Sequence, residues 1–437
     1  MTNQNRSSSE RRRAASYGAF KRTKMHYVVL ILGLLICGWG IWSSGREGLS
    51  AIITSYASAT NQLGAVDKAV RLSPSSSDAH YLRGSLLSDK ELRAEAVRAH
   101  EQAAMFRPHD YVLWLELGRA RDQAGDVKGA LAAFRESVRL APFYAQPRWQ
   151  LGNALLRSGQ RDEALAELRR AAASEPKLLP SAISLTWRVL SEDPQAVAQA
   201  LQPATPAAHL ALATFFAGHS KAGEAVDHFR AAGDLPQEQR HTLINELLAR
   251  KNFAEAYAVW SGGRQVPPGL AAMFNGGFEE PIALDDPGFG WQVGSNPPSV
   301  RTTLDPASPQ AGIYSLRIDW NGDSDPTTPI ISQLVLVEPN SHYRLSFAVR
   351  TEELLTIGLP MVTVTDAGAR DGSSPSLIAQ SKTFPRGTNG WQDYGLDFST
   401  GEGIHAIMIA IRREPCASAP CAAIGHVWVD DFVLGKL

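Results

Sequence analysis

A fixed interval of 34 residues constrains this chain more than any other feature. Pro74, Pro108, Pro142 and Pro176 are spaced by it, as are Gly84, Gly118 and Gly152, and again Ala96, Ala130 and Ala164. Leu117-Gly118 and Leu151-Gly152 fall at matching places, and so do Phe134 and Leu168. Three residue classes at one period specify a stack of identical supersecondary units, not a single globular core. Each unit reads as two amphipathic helices, for example Tyr111 to Gln123 and Val127 to Leu140 on either side of Ala124-Gly125-Asp126. Gly118 and Ala130 let the paired helices approach closely, and Trp114 and Phe134 fill the layer between them. Pro142 ends the second helix, because proline has no N–H for the helical ladder.

This pattern resembles the tetratricopeptide repeat, carried by Trp114, Leu117, Gly118, Ala130, Phe134 and Pro142 in the best copy. The match is strong over residues 77 to 178. Weaker copies flank it: Ala69 and Pro74 suit a partial repeat beginning near Ser50, and Leu212, Ala225, Phe229 and Ala232 fit a later one. Residues 179 to 205 and 237 to 260 read as helical but have drifted. The expectation is an α-solenoid over residues 50–260, of roughly five to six helix pairs. The resemblance implies a surface that binds a partner protein or peptide; a spacer role is the alternative. Some proteins with these repeats are glycosyltransferases, but no doubly wound nucleotide-sugar domain accompanies the repeats here.

The ends of the solenoid have different characters. Residues 1–24 carry seven basic groups (Arg6, Arg11, Arg12, Arg13, Lys21, Arg22, Lys24) and one acid, Glu10, a charge of +6. The whole chain, with 43 basic and 44 acidic residues, has a net charge of -1, so the remainder sums to -7. That balance excludes a globally basic nucleic-acid binder, and no nucleic-acid partner is expected. From Met25 to Trp42 no charged residue occurs, and an aromatic residue stands near each end. At about 1.5 Å per residue the run just spans a hydrocarbon core, so residues 25–43 are expected to form one uncleaved transmembrane helix, with a signal peptide as the competing reading. The basic tail places the N-terminus in the cytoplasm and the bulk of the chain in the periplasm or outside the cell. A bacterial inner membrane is the expected location. Cysteine use agrees: Cys37 lies in the apolar run, and Cys416 and Cys421, five apart in an exported domain, fit a small disulfide loop.

A Gly/Pro-rich linker is expected at residues 261–274, after which the period changes from helical to alternating. Tyr343, Leu345, Phe347 and Val349 alternate with Arg344, Ser346 and Ala348, and Ile407, Ile409 and Ile411 alternate likewise. Period two over many short segments argues an antiparallel β-sandwich over residues 275–437. Asn275-Gly276-Gly277-Phe278-Glu279 with Gly290-Trp291, and Val427-Trp428-Val429-Asp430-Asp431-Phe432, resemble the opening and closing strands of galactose-binding-like jelly rolls found as carbohydrate-binding modules. Gly312 to Ile318 and Trp391 to Tyr394 fall between them in the expected order. The resemblance implies a structural calcium ion on Glu279 and Asp431, whose hard oxygens suit it; the alternative is that Glu279 and Asp430 or Asp431 satisfy turn amides.

Sugar binding needs exposed aromatic platforms with polar neighbours. Trp291, Trp320, Trp391 and Trp428 are the candidates. Trp391 and Trp428 lie in strands expected to pack inward, whereas Trp320 leads into the acidic turn Asn321 to Asp325, so Trp320 with Asp323 and Asp325 is the expected ligand contact. The loop Arg370 to Ser376 and the basic pair Arg412-Arg413 are further candidates. No metalloprotease helix, phosphate-binding glycine loop or nucleophile elbow occurs. Gly322-Asp323-Ser324 resembles a lipase-like serine block but sits in a β domain without the partner Asp and His. Asp285-Asp286 and Glu352-Glu353 offer carboxylates, but a glycosidase, the least expected reading, needs two held across a cleft, and no sequence spacing encodes that. The expectation is a non-enzymatic, multidomain α plus β membrane protein without a catalytic cofactor, a tether or scaffold in the cell envelope, with surface polysaccharide assembly or export as its setting.

Overall fold

The computed structural model describes residues 4–262, 269, 271–284, 286–294, 297–326, 328–369, 376–416 and 420–437, with side chains from residue 29 onward. The side chains of the basic tail, most of the linker, Asp285 and all of the 370–376 loop except Ser376 lie outside the described residues. Fourteen helices come first among the described residues. They are α1 (Gln4–Thr60), α2 (Leu63–Leu72), α3 (Ser77–Asp89), α4 (Arg93–Phe106), α5 (Tyr111–Gln123), α6 (Val127–Leu140), α7 (Ala145–Arg157), α8 (Arg161–Ser174), α9 (Leu179–Val189), α10 (Pro194–Leu201), α11 (Pro206–Gly218), α12 (Ala222–Ala232), α13 (Gln237–Ala249) and α14 (Phe253–Ser261).

The 34-residue period has a direct physical cause. A Cβ on Gly84 would lie 2.6 Å from the His100 ring, one on Gly118 2.5 Å from the Phe134 ring, and one on Gly152 2.8 Å from Leu168 Cγ. Each glycine is therefore a contact point for the large side chain 16 positions on, and Ala96, Ala130 and Ala164 are buried beside it. Caps set the helix starts. Ser76, Asp110 and Asp126 accept from the amides of Ala79, Val112 and Gly129, each contributing about 1 kcal/mol.

One bond type was not legible beforehand. His80 Nε2, Trp114 Nε1 and Arg148 Nε lie 2.9, 2.8 and 2.8 Å from the carbonyls of Pro74, Pro108 and Pro142. Three different side chains thus reach the same place in three successive units, because only the nitrogen's position is specified.

Helix α1 runs through the expected boundary near Ser43 without a break. Gly45 and Gly48 each weaken a helix by only about 1 kcal/mol. Arg46 donates to the Leu72 carbonyl at 2.9 and 2.6 Å and Ser50 Oγ to the Ala69 carbonyl at 2.9 Å, so α2 is pinned along its last turn. The portion Val29–Thr60 is long and apolar enough to cross a membrane.

Ten strands follow among the described residues: β1 (Gln292–Val293), β2 (Val300–Asp305), β3 (Ser315–Asp323), β4 (Ile331–Leu336), β5 (His342–Thr356), β6 (Pro360–Asp366), β7 (Leu377–Gln380), β8 (Gly387–Ser399), β9 (Ala406–Arg413) and β10 (Ala422–Lys436). They form two antiparallel five-stranded sheets, ordered β1-β4-β9-β6-β7 and β2-β3-β10-β5-β8. Between the sheets lies one core that includes Ile318, Trp320, Phe347, Val349, Ile407, Ile409, Val427 and Val429. The chain's opening and closing segments meet there: Phe278 stacks on Trp291 at 5.2 Å, and the Phe432 amide donates to the Gly276 carbonyl at 3.0 Å.

The chain divides into two compact units, Met1–Ser191 with Gln199–Gln202, and Glu192–Ala198 with Pro203–Leu437. Helices α11 to α14 thus belong with the sandwich, although the Gly/Pro stretch after α14 reads as a boundary. Within that second unit the Trp260 indole donates to Asp286 Oδ2 at 2.8 Å, and Asp286 Oδ1 accepts from the amides of Gly288 and Gly290 at 3.0 and 2.9 Å. Tyr257 and Trp260 add edge-on contacts with Phe289 and Phe274.

Candidate functional site

The β2-β3-β10-β5-β8 sheet carries an ordered polar surface on the side away from the core. Antiparallel register builds it: Trp428 of β10 stands opposite Arg317 of β3 on one side and Arg350 of β5 on the other. Two residues back, His426 stands opposite Asp319 and Glu352. Since side chains alternate, Val427 and Val429 go to the core while Trp428 and His426 share the outer face.

Both guanidinium groups lie over the indole, with Arg350 Cζ 4.5 Å and Arg317 Cζ 5.1 Å from the ring. The Trp428 Nε1 proton goes to Asp305 Oδ2 at 2.8 Å. Arg317 Nε donates to Asp319 Oδ1 at 2.7 Å, and His426 Nδ1 lies 2.5 Å from the same oxygen. Burial works to raise the Asp305 pKa, but the Trp428 bond, the Ala307 amide and the two arginine charges together hold it below the usual range. The Arg317 pKa is raised by its bond to Asp319. The result is a row of cations seated on an aromatic ring beside a row of carboxylates. Such a surface offers fixed, directional N–H donors to hydroxyls or carboxylates.

The expected ligand contact is placed otherwise. Trp320 is 2% exposed and belongs to the inter-sheet core, while Trp428, expected to point inward, lies on the outer face under its arginines. The strand continues through Asn321 to Asp323, so the acidic turn begins later than the sequence suggests and leaves Trp320 in the alternation of Leu316 and Ile318. Trp320 Nε1 is buried without a hydrogen-bond partner among the described residues. Asp323 Oδ1 accepts from the Cys421 amide at 2.8 Å, and Asp325 Oδ2 from Thr328 Oγ1 at 2.9 Å. Asp323 is thereby tied to the disulfide loop.

Cys416 and Cys421 are joined, with Cα atoms 5.8 Å apart. Arg413, considered as a basic edge, is instead 3% exposed. It donates to the carbonyls of Gly358 and Cys421 at 3.0 and 2.8 Å, to Ser324 Oγ at 2.6 Å and to Thr356 Oγ1 at 2.7 Å. Burial lowers its pKa, partly offset by Asp323. Nothing in the sequence marks this residue as the knot of four segments.

Glu279 and Asp431 come near the same glycine, Gly277. Their donor set does not form a calcium cage. The Glu279 carboxylate accepts from the Ile313 amide at 2.9 and 3.1 Å and from Tyr314 at 3.3 Å, and Asp430 Oδ2 from the Gln310 and Ala311 amides at 3.0 and 3.3 Å. Among the described residues no three His, Cys, Asp or Glu side chains converge as a metal site. Calcium normally takes six to eight oxygens, whereas these carboxylates hold the loop before β3 by its amides.

In the first unit, Trp149, Asn153, Pro180, Ser184, Leu185 and Arg188 line a cavity of about 380 Å³ against α7 and α9. An indole and a leucine for apolar contact, with an amide and a cation beside them, suit a peptide side chain and an acidic neighbour.

These features define a class: a helical-repeat chain with an apolar N-terminal helix and a C-terminal antiparallel β-sandwich. Residues 123–186 match the tetratricopeptide repeat family. No curated protein matches the chain. Among solved structures it is similar to MamA 41-end from Desulfovibrio magneticus RS-1, at 16% identity over 43% of this chain and 93% of that one, with a TM-score of 0.29. It is also similar to the CBM22-1 xylan-binding domain of Xyn10C from Paenibacillus barcinonensis, at 16% identity over 39% of this chain and 97% of that one (TM-score 0.27). A CBM4 structure shares 12% identity over 38% of this chain and 99% of its own length (TM-score 0.28).

Proposed function

We propose that this chain is a non-enzymatic tether of a bacterial cell envelope. It is anchored in the inner membrane by α1 with its N-terminus in the cytoplasm, docks a partner protein on its repeats and contacts polysaccharide through its sandwich. The observation that carries the reading is the Arg317–Trp428–Arg350 row on the outer sheet face, in a chain whose apolar first helix runs directly into repeat hairpins. The cavity beside Trp149 supports the docking of a peptide on the repeats. Production or export of a surface glycan is the setting that joins an anchor, a docking array and a glycan contact.

Affinity electrophoresis of the full chain in detergent against envelope polysaccharides tests the sugar contact. Retention is expected, with a roughly tenfold loss in the Arg317→Ala, Arg350→Ala double variant, on the order of 1.4 kcal/mol. A folded protein retarded by no polysaccharide ends the glycan half of the proposal. One observation favours a second reading, a purely protein-binding scaffold: the Trp428 ring is covered by its own arginines and is 3% exposed. Pull-down in which the Arg317/Arg350 variant loses a protein partner, not a glycan, selects that reading. A periplasm-active reporter fused after Leu437 checks the orientation; activity only in the cytoplasm overturns it.

A further inference from the structure

At the end of its apolar stretch, α1 exposes Trp39 and Trp42, and the helix continues directly into the first repeat hairpin. At that point Trp42, Gly45, Arg46 and Leu49 of α1 and Arg71 and Leu72 of α2 enclose a cavity of about 430 Å³. Its two cations have different duties. Arg46 is spent on the Leu72 carbonyl, which satisfies the C-terminal end of α2. The Arg71 guanidinium is exposed and holds no partner among the described residues. The walls are otherwise apolar: the Trp42 ring, Leu49 and Leu72.

A free cation above apolar walls, at the boundary where indoles settle between hydrocarbon and water, selects an amphiphile with an anionic head. We propose that this cavity binds the phosphate headgroup of a membrane phospholipid, with Arg71 on the phosphate and Trp42 and Leu49 against the glycerol and upper acyl chain. The site rests on the reading of α1 as an uncleaved anchor. It would make the first hairpin part of the membrane surface: α2 returns towards the anchor, and the lipid would bridge α1 and α2 where Arg46 already joins them.

The test is native mass spectrometry of the full chain in detergent, titrated separately with phosphatidylglycerol, phosphatidylethanolamine and inorganic phosphate. Retention of a phospholipid is expected, about fivefold weaker in Arg71→Gln and restored in Arg71→Lys, as loss and return of one basic group near an anionic surface predict. Equal retention by wild type and Arg71→Gln overturns the site. Inorganic phosphate competing as well as lipid reduces it to a free-anion site and overturns the lipid assignment. The intact mass separates the two readings: a mature chain lacking residues 1–43 refutes the anchor and the cavity together, whereas an intact chain that holds no lipid refutes the cavity alone.

Discussion

His100 packs against Gly84 at the place that Phe134 and Leu168 fill in the next two units, and its Nδ1 is buried without a partner. Burial pushes its pKa down from 6.5 to about 4. Above about pH 6.5 the imidazole is neutral whether the chain is folded or not, so it adds no pH dependence. As the pH falls from 6.5 towards 4 the unfolded chain binds a proton that the folded chain refuses, and stability is lost across that window. The full loss is about 3 kcal/mol. His100→Phe is expected to remove this acid sensitivity, read as melting temperature between pH 7 and 4. A variant as acid-sensitive as wild type would show that another group titrates.

Trp320 and Trp428, two of the sandwich's four tryptophans, differ in the face they occupy. That Trp428 stands on an alternating strand was legible, whereas Trp320 reads as the start of the acidic turn although β3 runs on to Asp323, and neither ring's face was legible. Face depends on where β3 ends and on the partner strands that bring Arg317 and Arg350 to Trp428.

Among the elements, the helix pairs were legible almost to their ends, because the glycine, alanine and proline positions repeat for a steric reason. Gly118→Ala tests that reason. Alanine is the better helix former, yet its Cβ would fall 2.5 Å from the buried Phe134 ring, so a net destabilisation of about 1–3 kcal/mol is expected. Adding Phe134→Leu, whose smaller side chain leaves more room for the new Cβ, should recover part of it. Denaturant unfolding followed by circular dichroism is the measure, and an unchanged or raised midpoint in Gly118→Ala alone would refute the close-approach account. The strands were legible as a class, while their ends extended: the alternating Tyr343 to Val349 lies within His342–Thr356 and the closing run Val427 to Phe432 within Ala422–Lys436. Residues at those ends alternate poorly, and their strand state comes from hydrogen bonds with neighbouring strands.

For the whole molecule, the consequential joint is Trp260 with Asp286. The carboxylate is 7% exposed and serves the indole and two loop amides at once. Asp286→Ala leaves those donors unpaired and is expected to cost at least about 2 kcal/mol. It should also open the segment between α14 and β1 to protease, seen as a new cut between residues 262 and 290 in a time course. Cleavage no faster than wild type would mean that the aromatic contacts alone hold the joint.

Local patterns specify the architecture in order: an apolar helix, helical repeats and an antiparallel sandwich. The helix is specified by the uncharged run from Met25 to Trp42, and the other two by a period, 34 residues of packing or two of alternation. Long-range packing sets the rest: Trp428 and not Trp320 lies on the outer face, Arg413 is a buried knot, Glu279 holds amides, and the last helices belong with the sandwich. Each of these depends on atoms brought together from residues tens to more than a hundred positions apart, and no local pattern encodes which distant partner will satisfy a buried donor or cover a ring.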